Sequence, residues 1–103
     1  MSLILIADDQ LSIREGFGMI LKQEGYQTIL VKNGVDALAA LKEASIDLIL
    51  SDGRMPQMTG FELLRIIRAT PAYTHMPFIL ASGEVAADIL QKSRARPYIY
   101  KFG

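Results

Sequence analysis

The 103-residue sequence predicts an α/β domain, an open parallel sheet with helices on both faces. Three observations predict it. Short apolar runs rich in Ile, Leu and Val alternate with longer amphipathic stretches. The runs lack the polar alternation of a strand with one wet face, so they read as strands buried on both sides. Residues able to ligate, donate or ionise stand where the runs end, and sheets of this kind carry their sites at the carboxyl ends of strands.

The first run, Leu3-Ile4-Leu5-Ile6-Ala7, stops at Asp8-Asp9. Residues 12–24 follow with helical spacing and an inward stripe of Ile13, Phe17, Ile20 and Leu21. Ser12 and Glu15 have capping-box spacing, and Gly25 is a natural stop. Gly16 and Gly18 each cost this helix about 1 kcal/mol relative to Ala. Residues 28–31 form a second strand. Asn33 caps a helix over 34–43, with Leu38 and Leu41 facing inward. The third strand covers 46–51 and leads to Asp52. After a loop with Pro56, Thr59 and Glu62 form another capping box before a helix over 61–68, which Pro71 prevents from continuing. The fourth strand covers 77–82, a weaker helix 85–94, and the fifth strand 98–101. Consecutive parallel strands joined by helices require right-handed crossovers. No repeat, linker or low-complexity tract interrupts this order, so residues 1–103 read as one domain.

Half the residues are hydrophobic, which excludes a disordered chain. Eleven basic and eleven acidic residues leave no net charge, which argues against direct nucleic-acid binding. The absence of cysteine removes disulfides, thiolate metal sites and thiol catalysis, and fits a reducing compartment. No apolar run reaches the length of a membrane span and no signal-peptide pattern opens the chain, so the expected setting is cytoplasmic.

The strand ends bring Asp8, Asp9, Ser51, Asp52, Ser82 and Lys101 to one edge. Three carboxylates gathered there repel one another and lose hydration, so either their pKa values rise or a cation offsets the charge. Magnesium takes oxygen ligands and keeps several waters. Asp8, Asp9, Asp52 and the backbone carbonyl of Arg54 could supply the protein share of its shell. No histidine or cysteine joins the set, so zinc does not fit. A carboxylate can also attack phosphorus and form an acyl phosphate. The transition state of that transfer spreads negative charge over three equatorial oxygens. Magnesium, Lys101 and the Ser82 hydroxyl with nearby amides match those three oxygens.

On these residues the chain resembles a two-component response-regulator receiver domain. Asp8-Asp9 resembles the family's acidic pair. The segment Ser51-Asp52-Gly53-Arg54-Met55-Pro56-Gln57-Met58-Thr59-Gly60 resembles its phosphoacceptor loop, and Asn33-Gly34-Val35-Asp36-Ala37-Leu38 the start of its second helix. The resemblance runs from Leu3 to Lys101. It implies a flavodoxin-like sheet of five parallel strands in the order 2-1-3-4-5. It implies that Asp52 takes a phosphoryl group from a sensor histidine kinase or a phosphotransfer protein in a Mg2+-dependent reaction, without being an enzyme beyond limited phosphotransfer and autodephosphorylation. It makes Ser82 and Tyr98 the switch pair, Lys101 the phosphate contact, and Arg54 and Glu84 the flanks of the pocket.

Three departures from the family stand out. Phe102 follows Lys101 where the family has a cis proline, and a cis bond without proline costs roughly 2.5–4 kcal/mol. The interval from Ser82 to Lys101 is short, and the chain ends at Gly103 before the family's fifth helix. A sheet face left open beside Tyr98, Tyr100 and Phe102 leads to the expectation of a homodimer. A receiver-like interaction module that does not switch, or a fragment of a larger regulator, is the alternative reading. A flavin-binding domain is disfavoured because Asp8-Asp9-Gln10 is acidic where a phosphate loop would be. A phosphohydrolase is disfavoured because Arg54 stands where a second carboxylate would be needed.

Overall fold

A computed structural model describes residues 2–80 and the backbone of 99–101. The elements run β1 (Leu3–Ala7), α1 (Leu11–Gln23), β2 (Gln27–Val31), α2 (Gly34–Glu43), β3 (Leu48–Ser51), α3 (Gly60–Ala69), a 3-10 turn (Pro71–Tyr73), β4 (Phe78–Leu80) and β5 (Ile99–Lys101). The strands form one sheet in the order β2-β1-β3-β4-β5, and every neighbouring pair is parallel. This is the flavodoxin-like α/β order expected from the sequence. The helix expected over 85–94 lies outside the described residues.

Successive residues along each strand point to opposite faces, and the core divides accordingly. Leu5, Ala7, Ile49, Phe78 and Leu80 pack beneath α2 and α3 with Ala37, Leu41, Leu63, Leu64 and Ile67. Ile4, Ile6 and Leu50 face the other way, against Phe17 and Leu21 of α1. Each fully buried aliphatic side chain contributes about 1.5–3 kcal/mol by leaving water, so among the described residues the larger cluster contributes more than the smaller.

The helix starts and stops follow from local chemistry. Asn33 caps α2 by accepting from the Asp36 amide at 2.7 Å. Thr59 and Glu62 form the expected capping box at α3, each side chain accepting from the other's amide at 3.1 Å. Gly25, at φ +93°, ends α1 as an αL cap. The Gly25 amide donates to Lys22 and the Tyr26 amide to Leu21, the paired bonds of a Schellman ending.

The start of α1 differs from expectation. Its N-cap is Gln10 and the Ser12–Glu15 capping box does not form. The Asp8 carboxylate accepts from the Gln10 amide at 2.9 Å, and this tight turn begins the helix before Ser12 is reached. The helix is thereby rotated so that Arg14, Phe17, Gly18 and Leu21 lie toward the sheet. Ile13 and Ile20 fall on its flank, 42% and 58% exposed, rather than in the expected inward stripe. Arg68, near the end of α3, is half-buried and its guanidinium donates to the Met76 carbonyl at 2.8 Å.

Candidate functional site

The register sets one row across the carboxyl end of the sheet: Val31, Ala7, Ser51, Leu80 and Lys101 are successive partners. Asp8 and Asp52 each stand one residue past that row. The Asp8 amide donates to Val31 at 3.1 Å and the Asp52 amide to Ala7 at 2.8 Å, so both backbones extend the sheet ladder by one bond. Carboxylates fixed on strand ends in this way have little freedom to avoid each other. Ligand oxygens of Asp8, Asp9 and Asp52 lie within 4.8 Å of one another, with Asp8 buried, Asp52 half-buried and Asp9 exposed.

The crowding has an electrostatic signature. The Asp8 carboxyl is pushed above its ordinary range, first by burial and then by Asp52 and Asp9, against the lowering effect of the Gln10 amide and the Arg14 charge. Asp52 is also pushed up, first by burial and then by Asp9, while the Arg54 and Gly53 amides and the Arg54 charge pull it down. A bound divalent cation would reverse the dominant cost at both groups. The donors gathered here are all oxygens, which suits magnesium and not zinc.

The loop from Asp52 to α3 is held by close backbone approach. Gly60 sits against the Asp52 carbonyl so closely that an added Cβ would stand 2.0 Å from its oxygen. The buried Ser51 hydroxyl donates to the same carbonyl at 2.9 Å, and the Gly60 amide donates to Gly53 at 3.2 Å. Met55 is buried in the core. Gln57 has φ +68°, and the Met58 amide closes a three-residue turn onto Pro56 at 2.7 Å. Met58 then lies on Gly34 at the start of α2.

Asp8, Asp9 and Asp52 are brought together as expected, and Arg54 is an exposed residue two positions beyond Asp52. The Lys101 backbone occupies the register position expected for it, while its side chain, with Ser82, Glu84, Tyr98 and Phe102, lies outside the described residues. Sequence reasoning missed Arg14, whose guanidinium donates to the Asp8 carbonyl at 2.7 Å. Its reach depends on α1 starting at Leu11, which the residue spacing does not show. Sequence reasoning also missed the bond from the Ser51 hydroxyl to the Asp52 carbonyl and the close approach of Gly60.

The response regulator receiver domain matches residues 4–101. The chain belongs to this family. Two curated relatives and one solved structure illustrate the range of similarity. The chain is 35% identical over 102 residues to the CAI-1 autoinducer sensor kinase/phosphatase CqsS of Vibrio cholerae, covering 95% of this chain and 15% of that protein. It is 35% identical over 91 residues to sporulation initiation phosphotransferase F of Bacillus subtilis, covering 88% of this chain and 72% of the relative. Response regulator TrrA of Thermotoga maritima, solved in complex with Mg2+-BeF, superposes with a TM-score of 0.81 at 27% identity, covering 98% of this chain and 84% of the other. Receiver domains thus occur in relatives of very different length. This one is the receiver component of two-component phosphorelay signalling. No helix among the described residues is long and apolar enough to cross a membrane.

Proposed function

We propose that Asp52 is the phosphoacceptor and that residues 1–103 work as one receiver unit. The observation that carries this reading is the convergence of Asp8, Asp9 and Asp52 within 4.8 Å at the carboxyl edge of the sheet. An Asp52 carboxylate oxygen attacks the phosphorus of a phosphohistidine on a sensor histidine kinase or phosphotransfer protein. The new P–O bond forms as the P–N bond breaks, and the electron pair returns to the imidazole nitrogen, which takes up a proton. Asp8, Asp9, Asp52 and the Arg54 carbonyl would hold Mg2+, which supplies positive charge for the phosphoryl oxygens. The solved Mg2+-BeF complex of TrrA supports that assignment.

Lys101 and the Ser82 hydroxyl hold the remaining phosphoryl oxygens in this reading, and the family resemblance supports both roles. Ser82 and Tyr98 form the switch: the new charge is paired in only one of two loop arrangements. Arg54 and Glu84 flank the pocket and limit the hydrolytic water, which sets autodephosphorylation. The domain acts in the cytoplasm through protein contacts, without direct nucleic-acid binding. Self-association through the sheet face that carries α1 covers apolar surface there. Ile13 and Ile20, both exposed, support it, and a purely monomeric sedimentation profile at high concentration would exclude it.

The test is intact mass after incubation with acetyl phosphate and Mg2+. Wild type gains one labile phosphoryl group and Asp52→Asn gains none. Equal labelling of both proteins would remove Asp52 from the role.

A further inference from the structure

Among the described residues, Arg14 is the basic residue whose side chain bonds the turn that carries the acid pair, and its backbone bonds that turn as well. Its backbone amide donates to the Gln10 carbonyl at 3.0 Å and its guanidinium to the Asp8 carbonyl at 2.7 Å. The Asp8 carboxylate meanwhile accepts from the Gln10 amide at 2.9 Å, and the Asp8 amide donates to Val31. The Asp8–Asp9 peptide therefore has its carbonyl held by α1, while the residue before it is held by β2. Asp9 follows directly on that peptide with an exposed carboxylate. Where Asp9 points depends on how firmly the peptide is held.

We infer that Arg14 is a positioning residue for divalent-cation binding: by holding the Asp8 carbonyl it fixes the orientation of the Asp9 carboxylate toward Asp8 and Asp52. The inference rests on the proposed Mg2+ site. It makes a prediction opposite in sign to simple electrostatics. A guanidinium close to the acids repels a cation, so charge alone says that removing it tightens binding. Positioning says that removing it loosens binding, because the acids no longer converge. Groups that orient metal ligands from outside the coordination shell are typically worth about 10–100-fold in affinity. The exposed setting of Asp9 places Arg14 at the lower end of that range.

The variant that separates the two is Arg14→Met, which keeps an unbranched apolar stem in the half-buried position and removes both charge and donors. Arg14→Lys retains the charge and an N–H donor group. Mg2+ is titrated into the full chain and followed by amide chemical shifts, with the core amides of Leu63 and Ile67 reporting that the fold is intact. The expected result is about 10-fold weaker Mg2+ binding by Arg14→Met, with Arg14→Lys recovering most of the loss. Unchanged or tighter binding by a folded Arg14→Met protein overturns the inference and leaves the site reading standing. Wild type that shows no saturable shift at the acids overturns both.

Discussion

Two loops meet at the carboxyl edge of the sheet, and they are held by different means. The β1–α1 loop is only Asp8, Asp9 and Gln10, and side chains hold it: the Asp8 carboxylate on the Gln10 amide and the Arg14 guanidinium on the Asp8 carbonyl. The β3–α3 loop is longer and is held largely by backbone contact, with Gly60 against the Asp52 carbonyl, a left-handed Gln57 and Met58 resting on Gly34. Polar bonds in the first loop orient charge but leave Asp9 exposed. Close packing in the second leaves no room for the Asp52 carbonyl to shift. The difference suits the proposed site, in which the exposed Asp9 can adjust to a cation while the backbone of the proposed acceptor Asp52 stays in place.

The comparison breaks most severely at Gly60. A methyl group there would stand 2.0 Å from the Asp52 oxygen, which no side-chain rotation relieves. Gly60→Ala should cost about 3 kcal/mol in chemical denaturation and shift the amide signals of 52–60 while leaving those of Asp8–Gln10 nearly unchanged. Equal disturbance of both loops would show that they are not separately held. Thr59→Ala removes the capping box and should cost about 1 kcal/mol, read the same way.

A pH series joins the two loops. Burial raises the carboxyl pKa of both Asp8 and Asp52. For an acid whose folded pKa is raised, the folded state binds the proton more tightly, so stability falls as pH rises through the folded value. Without Mg2+, Asp52→Asn should melt higher than wild type at neutral pH, and the gap should close as pH drops below the ordinary carboxylate range. Solvent screening of a half-exposed group keeps this gain below about 1 kcal/mol. Mg2+ should raise the wild-type melting point and not that of Asp52→Asn by the same amount. The smallest effect belongs to Gln57→Gly, which relieves a left-handed backbone but loosens the unfolded chain, for a net gain of a few tenths of a kcal/mol in the same melts.

Much of this site was legible because its residues interrupt apolar strands. Asp8 and Asp52 could be placed from the runs that precede them, and Asn33 and Thr59 marked their helices by capping chemistry alone. Ile13 and Ile20 could not be placed, because the rotation of α1 depends on the Asp8–Gln10 turn, a contact that spacing does not reveal. Arg14 was hidden for the same reason: its reach to the Asp8 carbonyl exists only once the helix starts at Leu11. Gly60 could be read as part of a turn, but its closeness to Asp52 depends on the path of the whole loop.

The most direct test of the account is to locate the phosphoryl group. Phosphorylated wild type is treated with borohydride, which reduces an acyl phosphate to the alcohol, and the peptides are sequenced by mass spectrometry. The account predicts homoserine at position 52 and intact aspartate at positions 8 and 9. Homoserine at 8 or 9, or a phosphoryl group that resists borohydride on a hydroxyl side chain, would contradict it.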